Sequence, residues 1–128
     1  MVAHGTIAFD TLTTSDQVNT GTEKSIDTSY IFNGTPKVWC NHNTSTTLQD
    51  SFNVSGVTDE GTGSFDTDFI NAMVNNHYSA VCGAFGTSQQ TFGVIRDSST
   101  TSYRCNTYGD DGSAEDRDLA NLGIGDLA

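Results

Sequence analysis

The chain has 128 residues, a net charge of −11 and only five lysines and arginines, which do not cluster. A surface with no basic patch cannot release counterions from phosphates, which excludes nucleic acid, and the same lack removes any pull toward anionic lipid. The negative charge suits a surface protein that must stay soluble. Hydrophobic residues are 34% of the chain, and Thr, Ser, Asn, Asp and Gly fill the gap. That mixture suits either disorder or an all-β fold rich in turns. The apolar residues are mostly Phe, Tyr, Val and Ile in short alternating runs, which selects the β reading.

Residues 5–14, GTIAFDTLTT, alternate with Ile7 and Phe9 on one face and predict an opening strand. Residues 15–29 are polar without a helical stripe and predict an extended connection. Together, residues 1–30 are expected to form a strand and attachment arm. The single proline, Pro36, precedes a strong strand, KVWCNHN. The runs 51–57 and 64–70 flank TDEGTG. They predict a hairpin in which Phe52 and Val54 share a face and Gly61 and Gly63 supply positive φ. A loop through FINAMVNNH enters a strand with Tyr78, Ala80 and Cys82 on one side and Val81 on the other. QTFGVIRD and TSYRCNTY form a further hairpin around SSTT. The segment 111–128 is acidic, then weakly apolar. Gly123 and Gly125 argue against a long helix there, leaving one helical turn or an edge strand.

Short strands at regular spacing, with little helix, predict an all-β, β-sandwich or jelly-roll-like domain over residues 31–110. It carries the N-terminal arm on one side and the acidic segment on the other.

No catalytic pattern stands out. His4, His42 and His77 belong to no metal-binding or protease spacing, and each reads as structural. A histidine near a threefold axis would reach a metal by repetition, and a Ca²⁺ site in the acidic segment is the lesser alternative. There is no nucleophile elbow, phosphate loop or dinucleotide fingerprint. Carboxylates are too abundant for a pair to be informative, and YGDDGSAEDRD does not keep calcium-loop spacing. Three Asn-x-Ser/Thr triplets are chance products of a Thr- and Asn-rich chain. The odd cysteine count, Cys40, Cys82 and Cys105, reads as three small apolar residues, with one disulfide left open. No basic region followed by an apolar stretch opens the chain and no membrane span is present, so synthesis in a reducing cytoplasm is expected. No cofactor or metal is expected, and no enzyme.

Aromatic side chains remain as contact candidates. Trp39, in a strong strand, is expected in the core or, with Ile7 and Phe9, in a subunit interface. Tyr103 and Tyr108 near loop tips, with Asp110 and Asp111, are the candidate receptor surface, since a ring stacks on sugar C–H groups while carboxylates and amides read hydroxyls.

The run PKVWCNHNTSTTLQDSFNVSGVTDEGTGSFDTDFINAMVNNHYSAV, Pro36 to Val81, resembles a module of marine and cyanobacterial phage structural proteins. In that module an AWVNFNG strand leads to a SFNVSS(I/V)TDxGTGxY hairpin and an F…AM…NxNY segment. The matches are Lys37 to Asn41, Ser51 to Ser55, Thr58 to Gly63, Phe69, Ala72, Met73 and Tyr78, in the same order. The opening GTIAFDTLTTSD resembles the first strand of phage fibre proteins. The resemblance implies a non-enzymatic virion protein of the tail-fibre, knob or head-decoration kind. It implies a homotrimer, contacts to other virion proteins through the N-terminal arm, a location on the virion surface and host-surface glycan as a possible ligand. His42 and Asn43 depart from the aromatic and glycine of the module, and the C-terminal segment lacks the apolar closing strand, which implies an arm or contact segment.

Overall fold

The computed structural model describes residues 11–13, 25–85 and 91–128. The chain forms two compact units, residues 1–35 and 36–128.

In the first unit, β1 (Thr11–Thr13) pairs antiparallel with β2 (Ser25–Asp27). β2 runs straight into α1 (Thr28–Gly34). This helix corrects the expectation of an extended connection through residue 29. Its signals are conventional: Thr28 and Ser29 at the start, Gly34 at the end and Pro36 beyond it. The Thr35 hydroxyl closes the last turn on the Ile31 carbonyl at 2.8 Å. Tyr30 and Phe32 on α1 are exposed. Of the expected opening strand over residues 5–14, Ile7 and Phe9 lie outside the described residues.

The second unit is a sandwich of two four-stranded antiparallel sheets. One sheet has the order β4–β3–β10–β7, built from β3 (Val38–His42), β4 (Leu48–Phe52), β7 (Ser79–Phe85) and β10 (Asp118–Ile124). The other has the order β5–β6–β9–β8, built from β5 (Val54–Gly61), β6 (Ser64–Phe69), β8 (Phe92–Ser98) and β9 (Ser102–Tyr108). The sandwich starts at Val38 and takes in the segment expected to be an acidic tail. β10 is neither an arm nor an edge strand: it pairs with β3 on one side and β7 on the other.

The hairpin expected around TDEGTG exists as β5 and β6, but its first strand starts at Val54. Phe52 and Val54 do not share a face. Asn53 between them adopts a left-handed φ of 58°, which asparagine tolerates, and the chain crosses there from one sheet to the other. The Asn53 side chain holds the crossing, accepting from the Asn71 N–H at 2.8 Å and donating to the Asn71 carbonyl at 3.1 Å. Gly61 and Gly63 supply positive φ, as their place in the turn predicts.

Alternation explains the core. Val38 and Cys40 of β3, Phe65 and Phe69 of β6, Tyr103 and Cys105 of β9 and Leu119 of β10 point inward and are buried. Each large side chain taken out of water in this way contributes about 1.5–3 kcal/mol. Phe69 meets Tyr103 and Tyr78 edge-on, at ring centroid distances of 5.4 and 5.9 Å. All three cysteines are free thiols, Cys40 and Cys105 buried and Cys82 partly so.

Asn43 organises the β3–β4 turn. Its carboxamide oxygen accepts from the Ser45 and Thr47 N–H groups at 3.0 and 2.9 Å. This is the local turn chemistry asparagine favours. His42 beside it is fully buried, its ring edge-on to Phe65 at 5.2 Å.

Candidate interaction surface

In a sandwich exposed to water on both sides, outward positions are expected to be polar. The sheet containing β6 and β9 follows this over most of its outer face. Thr58, Asp66, Arg104 and Asp97 stand in one cross-strand row. Arg104 holds Asp66 through two nitrogens, at 2.6 and 2.7 Å, and reaches Glu60 at 3.2 Å. The hydrogen bonds that Arg104 donates to Asp66 raise its already high pKa further. A polar hollow of about 180 Å³ lies beside this row, lined by Asp66, Asp97, Ser98, Ser99, Ser102 and Arg104. Asp66 is committed to its guanidinium partner.

The opposite sheet breaks the rule. Phe52 of β4 pairs with Trp39 of β3, Trp39 with Leu122 of β10, and Leu122 with Val81 of β7. Directly opposed residues of an antiparallel ladder share a face. The inward positions of β3 are Val38, Cys40 and His42, so this row of four apolar residues faces outward. Phe52 and Val81 are 51% and 60% exposed. Two residues along, the next row reads Asp50, Asn41, Ala120 and Gly83. Its small residues leave a concavity of about 310 Å³, lined by Trp39, Asn41, Val81, Gly83, Ala120 and Leu122 among others. Beyond it Phe85, opposite Asp118, is 54% exposed. The face is therefore an apolar ridge beside a trough, crossing the sheet.

Trp39 is thus neither a core residue nor fully exposed; it stands half-buried in the middle of the ridge. Sequence reasoning offered it the core or a subunit interface and missed its neighbours on this face, Leu122, Val81 and Phe52. The alternation of KVWCNHN and SAVCGAF carried that signal. It was legible only once β10 was known to lie between the two strands.

The residues expected to meet a receptor separate. Tyr103 does not belong to the surface. It is 1% exposed, and its hydroxyl donates to the Asn121 carboxamide oxygen between the sheets. Alternation along β9 sends Tyr103, Cys105 and Thr107 inward and Arg104, Asn106 and Tyr108 outward. Burial pushes the Tyr103 pKa far above that of a free phenol, and the nearby Cys105 adds to the shift. Tyr108 is half-buried and stacks on Phe92, with ring centroids 5.2 Å apart and planes 23° apart. Asn106 lies on the same outer face, and its Oδ1 is buried with no hydrogen-bond partner. Asp110 and Asp111 are exposed in the following turn, where the Asp111 carboxylate accepts from the Ser113 N–H at 2.9 Å. The Ser113 hydrogen bonds hold the Asp111 pKa below the usual carboxylate range.

The rest of the acidic segment is structural. Asp116 accepts from the Gly63 N–H at 2.6 Å, and Arg117 donates to Glu115. Among the described residues no cluster of three or more His, Cys, Asp or Glu side chains is placed to hold a metal ion. No helix among them is long and apolar enough to cross a membrane. Searches against protein-family models, curated proteins and solved structures returned no match to this chain.

Proposed function

We propose that the chain is a non-enzymatic structural protein of a phage particle that works by assembling through its surfaces. The observation that carries the assembly part is the outward row Phe52–Trp39–Leu122–Val81, a run of apolar side chains where a lone sandwich keeps polar ones. The phage part rests on the resemblance of Pro36 to Val81 to the virion module, and the expectation of threefold symmetry rests on that resemblance alone. Of the partners considered, copies of the chain and other particle proteins fit an apolar face.

The test is particle association. Antibody raised against the purified chain is applied to particles banded from a culture that makes it, and labelling is read by electron microscopy. Label on the particle surface is the expected result. Chain present in the lysate but missing from banded particles would overturn the reading.

A second reading, a contact to host-surface glycan, is favoured by the Phe92–Tyr108 stack with Asn106 on the same face and Asp110 in the next turn. Binding on a glycan array that is lost in Tyr108→Ala would support it. An array without signal would remove it.

A further inference from the structure

The geometry points to a second copy of this chain as the occupant of the apolar face, seated about a twofold axis. This rests on the reading of the chain as an assembly module and names its partner. The face is self-complementary in shape. The ridge through Trp39 and Leu122 runs beside the trough over Ala120 and Gly83, two residues along the same strands. That offset is about 7 Å. Turning a second copy by half a revolution about an axis between ridge and trough lays each ridge in the other's trough. A twofold contact demands this reciprocity, because each patch must fit itself.

The area also fits. The longest strands of the sheet have seven residues and there are four strands, so the face measures about 20 Å each way in plan. With side-chain relief this gives roughly 600–800 Å² per copy, the low end of a standard stable interface. Charge agrees as well. A chain of net charge −11 repels its copy over most of its surface, but the central row carries no charge. The two carboxylates on this face are engaged locally, Asp50 by the Ser51 N–H at 2.8 Å and Asp118 by the Thr44 N–H at 2.9 Å. A basic partner would seek the acidic surface elsewhere, not this row.

Gly83 gives a clean test. A Cβ built there meets nothing within 4 Å, so a larger side chain fills the trough without crowding its own copy. The mass of the full chain is measured by light scattering over a wide concentration range, for the parent, Gly83→Leu and Leu122→Asp. Val94→Asp, on the outer face of the other sheet, is the control. Circular dichroism and urea midpoints confirm folding of each variant. Emission of Trp39, the single tryptophan, is followed in parallel.

The expected result is a species of twice the 13.6 kDa chain mass, with Trp39 emission shifting to the blue as it forms. Gly83→Leu and Leu122→Asp are expected to weaken it at least about tenfold, and Val94→Asp to leave it unchanged. Three outcomes would overturn the pair: a trimer, a dimer indifferent to Gly83→Leu, or a folded monomer at every concentration. None of these decides particle association, which the labelling experiment reads separately.

Discussion

The hydroxyl of Tyr103, reaching in from β9, donates to the carboxamide oxygen of Asn121 on β10, and so joins the two sheets through their shared interior. The same oxygen accepts from the Cys40 thiol at 3.2 Å, while the Asn121 amide nitrogen donates to the Thr67 hydroxyl at 3.4 Å. Buried polar groups of this kind are costly only when left unpaired. Tyr103→Phe removes one donor and leaves the oxygen with another, so a loss of about 1 kcal/mol is expected. Asn121→Ala strands the phenol and opens a cavity, and about 2–4 kcal/mol is expected. Urea unfolding of the two variants should rank them in that order.

Burial holds the His42 pKa below its ordinary value, the bond to the Asn43 carbonyl and the charge of Asp118 opposing but not cancelling it. The Nε2 atom has no hydrogen-bond partner within the protein. The unfolded chain therefore takes up a proton near pH 6.5 while the folded chain does not. The His42 contribution is fully present above that pH and declines as pH falls toward the lowered folded value, by at most about 1.4 kcal/mol per unit. Urea midpoints between pH 8 and 5 should fall with pH, and His42→Phe should flatten the slope. An equal slope in the variant would assign the acid sensitivity to other groups.

Two glycines with positive φ should respond unequally to alanine. At Gly63, φ is 67° and a Cβ would stand 2.5 Å from the Thr107 carbonyl oxygen. At Gly112, φ is 79° but the space is open. Gly112→Ala carries the backbone strain alone, about 1 kcal/mol. Gly63→Ala adds a clash with backbone that also receives the Glu115 N–H at 3.1 Å, and should cost about 3 kcal/mol or more. Thermal unfolding will show a larger drop for Gly63→Ala, and a reversed order would refute the clash.

Among the thiols, Cys82 should be alkylated first in the folded protein. It is the only one of the three that is partly exposed, and a hydrogen bond from Cys105 lowers its pKa. Burial raises the Cys40 pKa, and the bond to Cys82 together with burial raises that of Cys105. Brief iodoacetamide treatment followed by peptide mass mapping locates the label. Label on Cys40 or Cys105 before Cys82 would contradict this order.

The strands with period-two patterns were legible in the sequence because only one of their faces is apolar. Phe65, Thr67 and Phe69 alternate with Ser64, Asp66 and Asp68, and the hairpin of β8 and β9 is equally plain. β10 was hidden because it breaks that pattern. Its inward positions are Leu119, Asn121 and Gly123, and its outward ones include Leu122 and Ile124, so neither face is purely polar. In the sequence, Gly123 argues only against a long helix. In the fold it is the space that Val38 fills, since a Cβ there would sit 2.8 Å from the Val38 Cγ1. The crossing at Asn53 was hidden for a related reason. Phe52 and Val54 have the spacing of one strand, and only a left-handed residue between them separates their faces. Tyr103 was misplaced because its buried hydroxyl needs a partner, Asn121, on a segment that the sequence left open between a helical turn and an edge strand.

The placement of β10 sets an order on how the protein comes off the ribosome. The sheet of β5, β6, β8 and β9 is complete once Tyr108 has been made, since all its ladders join residues between Val54 and Tyr108. The other sheet stays in pieces, with β3 held only by β4 and β7 without a partner in its own sheet, until Asp118–Ile124 arrives to join them. Until then the inner face of the finished sheet, including Phe65 and Tyr103, has no full cover. A nascent chain arrested before residue 118 would present that surface to chaperones and to other nascent chains. β10, translated after the other seven strands of the sandwich, is thus the one that closes it, and folding must be completed after synthesis has passed it.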